Sequence, residues 1–95
     1  LSLDSAAMQA TLHGKVLELT TNEFLVLRAF AQRAGKVLHR EQLLLLVHGS
    51  DSETFDRSID VVVSRLRQKI EVDPRNPRLL KTVRGAGYML TTGEP

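Results

Sequence analysis

The sequence predicts an α+β domain in which a small antiparallel sheet, three helices and a C-terminal hairpin follow one another. Three observations carry this reading. Apolar residues alternate with polar ones near both ends of the chain, recur at three- and four-residue spacing in three central stretches, and are punctuated by Gly and Pro between segments. Ninety-five residues supply one hydrophobic core, so a single domain over 1–95 is expected.

Residues 1–19 read as short strands, Leu1 to Leu3, Gln9 to Leu12 and Val16 to Leu19, with a turn at His13-Gly14. Thr20-Thr21-Asn22-Glu23 fits a capping box, in which the first hydroxyl and the last carboxylate satisfy each other's backbone N–H groups. It opens a helix from Thr21 to about Ala34, with Gly35 as its stop and Phe24, Leu27, Ala31 and Ala34 as its buried stripe, flanked by Leu25 and Phe30. A second helix over Arg40 to His48 turns Leu43, Leu46 and Val47 inward and leaves Leu45 outside. A third, from Asp56 to about Glu71, buries Ile59, Val63, Leu66 and Ile70, with Val62 at the edge. Half a turn from that stripe lie Arg57, Val61, Ser64, Arg65 and Gln68, with Asp60 and Arg67 on the flank. Two strands, Leu79 to Arg84 and Tyr88 to Thr91, joined by Gly85-Ala86-Gly87, complete the chain.

Composition excludes several functions. There is no cysteine, hence neither disulfide nor thiolate metal site. The histidines His13, His39 and His48 fall on three different elements at spacings that make no metal-ligand motif. The acidic residues are scattered, and Arg84-Gly85-Ala86-Gly87 joins two strands instead of leading from a strand into a helix, which a phosphate cradle requires. No enzyme activity, metal or cofactor is expected. No apolar run approaches the ~20 residues of a membrane span, and the start lacks the charged and apolar regions of a signal peptide, so a cytoplasmic protein without membrane contact is expected. A chain that begins on a strand-like segment without methionine is expected to be part of something longer.

The net charge of +2 is small, but from Arg65 to Arg84 seven basic residues face two acidic ones. Two successive helices joined by a short polar loop, the later one presenting arginines outward, form the arrangement that lays a recognition helix in the major groove. With the hairpin behind it, this is a winged helix-turn-helix. Arg65 has the geometry to donate two hydrogen bonds to a guanine edge, Asp60 to accept from a cytosine amino group, and Val61 to meet a thymine methyl. Arg84, at the tight glycine turn, is placed to enter a narrow minor groove of negative potential. Arg57, Ser64, Arg67, Gln68 and Lys69 would hold phosphates, as would Thr82 and Tyr88 beside the turn. The alternative is a winged helix used as a protein-interaction module, which exposed Leu45 keeps open and the cluster of like charge opposes.

Four runs together resemble the effector domain of the OmpR/PhoB family of response regulators, over nearly the whole chain. They are Leu19-Thr20-Thr21-Asn22-Glu23-Phe24, Val37-Leu38-His39-Arg40-Glu41-Gln42-Leu43, the segment from Asp56 to Lys69, and Lys81-Thr82-Val83-Arg84-Gly85-Ala86-Gly87-Tyr88. The resemblance implies an N-terminal four-stranded antiparallel sheet, three helices and a C-terminal β-hairpin wing, with promoter DNA bound by head-to-tail pairs on direct repeats. It implies base-edge positions for Asp60 and Arg65, backbone positions for Arg57, Ser64 and Arg67, and minor-groove entry for Arg84. It further implies that the 49–55 loop contacts RNA polymerase, and that a sensor kinase acts on an N-terminal receiver domain lying outside these residues. Two departures stand out: His39 replaces the Ser or Thr that usually caps the second helix, and Val62 and Ser64 occupy positions that are often polar and basic, respectively.

Overall fold

The computed structural model describes residues 1–48 and 58–91. Strands β1 (Ser2–Asp4), β2 (Gln9–Leu12) and β3 (Lys15–Leu17) form an antiparallel sheet in that order, with Ala10 paired to Leu3 on one side and Leu17 on the other. His13 and Gly14 both have positive φ, 53° and 80°, the pairing that matches a two-residue turn to the right-handed twist of its strands. Then follow α1 (Thr21–Gln32), β4 (Val37–Leu38), α2 (Arg40–His48), α3 (Ser58–Ile70), β5 (Leu80–Val83) and β6 (Gly87–Leu90). Among the described residues the N-terminal sheet has three strands, not the four that the resemblance implies. Strand β3 stops at Leu17 because the next residues are engaged elsewhere: the Glu18 carbonyl accepts from Lys69 Nζ, and Thr20 caps α1.

The hairpin is also larger than the sequence suggests. Strand β4 pairs with β6, Val37 to Met89 and Leu38 to Tyr88, so the wing is the outer part of a β4-β6-β5 sheet. The core gathers between the helices and this sheet, and Phe24, Leu27, Phe30, Leu43, Ile59, Leu66 and Leu80 are fully enclosed. Burying such a side chain contributes about 1.5–3 kcal/mol, which makes α1, with Phe24, Val26, Leu27, Ala29 and Phe30 all buried, the centre of the fold. Its last turn ends at Gln32: Arg33 leaves helical dihedrals, and the Gly35 N–H is donated to the Leu90 carbonyl at 2.8 Å. Ala34 is therefore exposed instead of extending the buried stripe. Among the described side chains of α2 only Leu43 is fully buried; Leu46, expected inside, is exposed, as is Leu45.

Helix starts are made by side chains. Thr20 Oγ1 accepts the Glu23 N–H at 3.1 Å while Glu23 Oε1 accepts the Thr20 N–H at 3.0 Å, the capping box read from the sequence. His39 takes the same part for α2: its Nδ1 accepts the Gln42 N–H at 3.3 Å, and Gln42 Oε1 accepts the His39 N–H at 3.0 Å. The departure from Ser or Thr thus keeps the cap.

Glu23 is buried, and Lys69 Nζ donates to its Oε1 at 2.5 Å. Burial alone would raise the carboxyl above its ordinary value of 4.5; hydrogen bonds from Lys69 and the Thr20 N–H, with the charges of Lys69 and Arg65, more than offset this and hold it lower. A depressed carboxyl stabilises the fold fully above its ordinary value, and the contribution is lost as pH falls through the folded-state value. Glu23→Gln, which keeps an acceptor for the cap, is therefore expected to cost about 1 kcal/mol at neutral pH. The gap from wild type should close below pH 4.5 in urea melts. A gap that stays constant with pH would assign the effect to shape instead of charge.

Candidate nucleic-acid interface

Helix α3 divides into two sides. Ile59, Val62, Val63, Leu66 and Ile70 are buried, whereas Val61, Ser64, Arg65 and Gln68 form an exposed face, with Val61 46% exposed. An aliphatic side chain that exposed contributes little to folding and presents a methyl-sized apolar surface between polar neighbours.

The flank of α3 that carries Asp60 and Arg67 receives the wing. Arg67 Nε donates to the Leu80 carbonyl at 2.9 Å and Nη2 to Thr82 Oγ1 at 2.8 Å, while its guanidinium lies 5.6 Å from the centre of the Tyr88 ring. Thr82 and Tyr88 are cross-strand partners, so one arginine grips both strands of the hairpin. The Tyr88 hydroxyl donates to the Asp60 carboxylate. From the other side Arg40, at the start of α2, donates through Nε at 3.1 Å and Nη2 at 2.9 Å, a two-pronged charge-assisted contact. Hydrogen bonds from Arg40 and then Tyr88 hold the Asp60 carboxyl below its ordinary range; burial, reinforced by the Asp60 contact, pushes the Tyr88 phenol up. At the tip, Arg84 is exposed in the turn just beyond Val83, which pairs with Gly87.

The structure thus brings Asp60, Val61, Ser64, Arg65, Arg67, Gln68, Thr82 and Tyr88 to one side of the molecule, with Arg84 at the wing tip. Lys69 is a correction. Expected at a phosphate, it instead reaches the opposite flank, where Nζ donates to the Glu18 carbonyl at 2.7 Å and to Glu23, tying α3 to the start of α1. Arg67 is half-buried and has two donors committed to the wing. Arg57 and the 49–55 loop lie outside the described residues.

Two participants were not anticipated. Arg40 lies 20 residues from Asp60, and no local spacing signals their meeting. The Glu71 carboxylate accepts the N–H groups of Arg78, Leu79 and Leu80 at 2.8–3.0 Å, fixing the chain where it enters β5. Its position at the end of α3 before two prolines was the available sequence cue. Among the described residues no group of three His, Cys, Asp or Glu side chains could hold a metal ion, and no helix is long and apolar enough to cross a membrane.

A helix with one polar outer face, backed by two others and clasped by a β-hairpin, defines a winged-helix domain. Residues 14–90 match the family model described as transcriptional regulatory protein, C terminal. The regulatory protein VirG of Agrobacterium tumefaciens is 52% identical over 75 residues, which cover 79% of this chain and 28% of VirG. In structure the chain is similar to the response regulator DrrB of Thermotoga maritima, an OmpR/PhoB homolog, with a TM-score of 0.80 and 40% identity over 94% of this chain and 40% of DrrB. It is also similar to the Klebsiella pneumoniae RstA DNA-binding domain, solved in complex with the RstA box, with a TM-score of 0.81 and 36% identity over 94% of this chain and 88% of that one. The chain belongs to this family of C-terminal transcriptional regulatory domains and is an output domain of the OmpR/PhoB type. It spans under a third of the length of VirG.

Proposed function

We propose that this domain regulates transcription by reading double-stranded DNA, with α3 in the major groove and the β5–β6 turn in the adjacent minor groove. The observation that carries the reading is the exposed α3 face of Val61, Ser64, Arg65 and Gln68, beside a wing whose tip presents Arg84. Arg65 donates to a guanine edge and Val61 meets a thymine methyl, while Ser64 and Gln68 hold phosphates on either side. Phosphate contacts by Thr82 and Tyr88 would use what their hydrogen bonds to Arg67 and Asp60 leave free. RstA, a relative of this fold, was solved on its DNA box, which supports the same use here.

Selection from a random duplex library, followed by titration of the winning site against salt, tests this. A direct-repeat motif bound with affinity that falls steeply with salt is expected, since each neutralised phosphate releases counterions. Absence of any enriched sequence would overturn the reading. Arg84→Ala is expected to weaken binding about tenfold on sites whose flank is A·T-rich, and less on G·C-rich flanks, because narrow minor grooves concentrate negative potential. Equal loss on both flanks, measured by fluorescence anisotropy, would place Arg84 on a phosphate instead.

For the whole protein we propose, on the resemblance to the OmpR/PhoB family, head-to-tail pairing on direct repeats, an N-terminal receiver phosphorylated by a sensor kinase, RNA polymerase contact through the 49–55 loop, and action in the cytoplasm at the nucleoid. A protein-interaction role for the outer α3 face is the second reading, and exposed Leu45 and Leu46 on α2 are what favour it. The same selection distinguishes the two.

A further inference from the structure

We infer that Asp60 is a positioning residue and not a base reader: held between Arg40 of α2 and Tyr88 of β6, it fixes the wing against α3 and so sets the offset between the two groove contacts. This deepens the DNA-reading function proposed above and rests on it for its consequence, while the clasp itself is a property of the free domain.

Two elements, α2 and β6, converge on this one carboxylate of α3, from 20 and 28 residues away. A two-pronged arginine contact on one side and a hydroxyl donor on the other leave it little freedom to turn toward a base. Pairing with Arg40 also offsets the repulsion a bare carboxylate would meet near phosphates. Tyr88 is itself anchored in the middle strand of its sheet, between Leu38 and Thr82. Seven residues further along α3, on the same flank, Arg67 holds Leu80 and Thr82. The two contacts are roughly 10 Å apart along the helix axis. With β6 already seated on β4, these two contacts, separated along the axis, set the angle of the hairpin against α3. The clasp is solvent-exposed, at 59% for the Arg40 side chain and 49% for Asp60, so it adds little to folding stability and acts chiefly on geometry.

The test compares wild type with Asp60→Asn, which keeps the size of the side chain and removes its charge. In the free domain, hydrogen exchange of the β5–β6 amides is expected to rise about tenfold while the melting temperature barely moves. On the selected site, Asp60→Asn should weaken binding without changing base preference at any position. In that background Arg84→Ala should cost less than about threefold, against about tenfold in wild type, because a loosened wing no longer delivers the arginine. Arg40→Gln should reproduce these effects, and Asp60→Asn/Arg40→Gln should be no worse than either alone. Loss of a single base preference with unchanged wing exchange and a full Arg84→Ala effect would make Asp60 a base reader and overturn the inference. If wild type selects no DNA site, the function proposed above fails, and wing exchange alone still decides whether the clasp operates.

Discussion

Gly87→Ala is expected to lower the melting temperature by about 12 °C or more. Gly87 opens β6, with φ at 139°, a conformation that side-chain-bearing residues rarely adopt. A Cβ built there would lie 2.2 Å from the Leu38 carbonyl oxygen and 2.7 Å from His39 Cα. Both are backbone atoms where β4 turns into α2, and no rotamer change can move them aside. Strand β6 would have to withdraw from β4, giving up the pairing of Leu38 with Tyr88 that seats the wing. Backbone strain together with a broken sheet edge costs at least about 3 kcal/mol, from a total that for a small domain is only about 5–15. At roughly 4–8 °C per kcal/mol, the shift is readily seen by circular dichroism. Gly85→Ala is the control: φ is 73° there, but a Cβ would meet open space, so only the left-handed conformation costs, about 1 kcal/mol. Equal melting of the two variants would show that close approach at Gly87 does not hold β4 on the wing.

Arg65→Ala is expected to cost ~1 to 3 kcal/mol in binding to the selected site and to relax specificity at one base pair. Arg65 sits on the exposed face of α3 beside Val61, where its charge is felt by Glu23 but, among the described residues, no hydrogen bond or salt bridge engages its guanidinium. Its guanidinium thus keeps its donors for a guanine edge, unlike that of Arg67, which is partly spent on the wing. Binding should be measured against every substitution of the winning site. If all sites weaken in parallel, with a shallower salt dependence, Arg65 contacts a phosphate and another residue reads the base.

Local signals in the sequence were enough for much of this architecture. The capping box at Thr20 to Glu23 located the start of α1, and the buried stripe of α3 followed from its spacing, with Val62 more enclosed than an edge position suggests. Where contacts between distant elements decide, the residues alone were insufficient. Lys69 reads as one more cation beside Gln68, and only the approach of α1 and Glu18 shows that it works internally. Asp60 has the chemistry of a cytosine reader; that its carboxylate is already engaged depends on Arg40 and Tyr88, which no periodicity relates to it. Strand β4, two residues long, exists because β6 lies beside it. Helical phase turns Leu46 inward, yet α2 reaches the core mainly through Leu43, and phase says nothing about how far a neighbour extends.

The separation of duties around α3 has an evolutionary consequence. The side chains that hold the helix in the fold and those that face outward share no member: Ile59, Val62, Val63, Leu66 and Ile70 do the first, and Val61, Ser64, Arg65 and Gln68 the second. Surface replacements of the second kind usually change stability by less than about 0.5 kcal/mol. A lineage of such domains can therefore try new outward residues, and with them new target sequences, while the scaffold stays intact, so that duplicated copies diverge in what they read long before they diverge in shape.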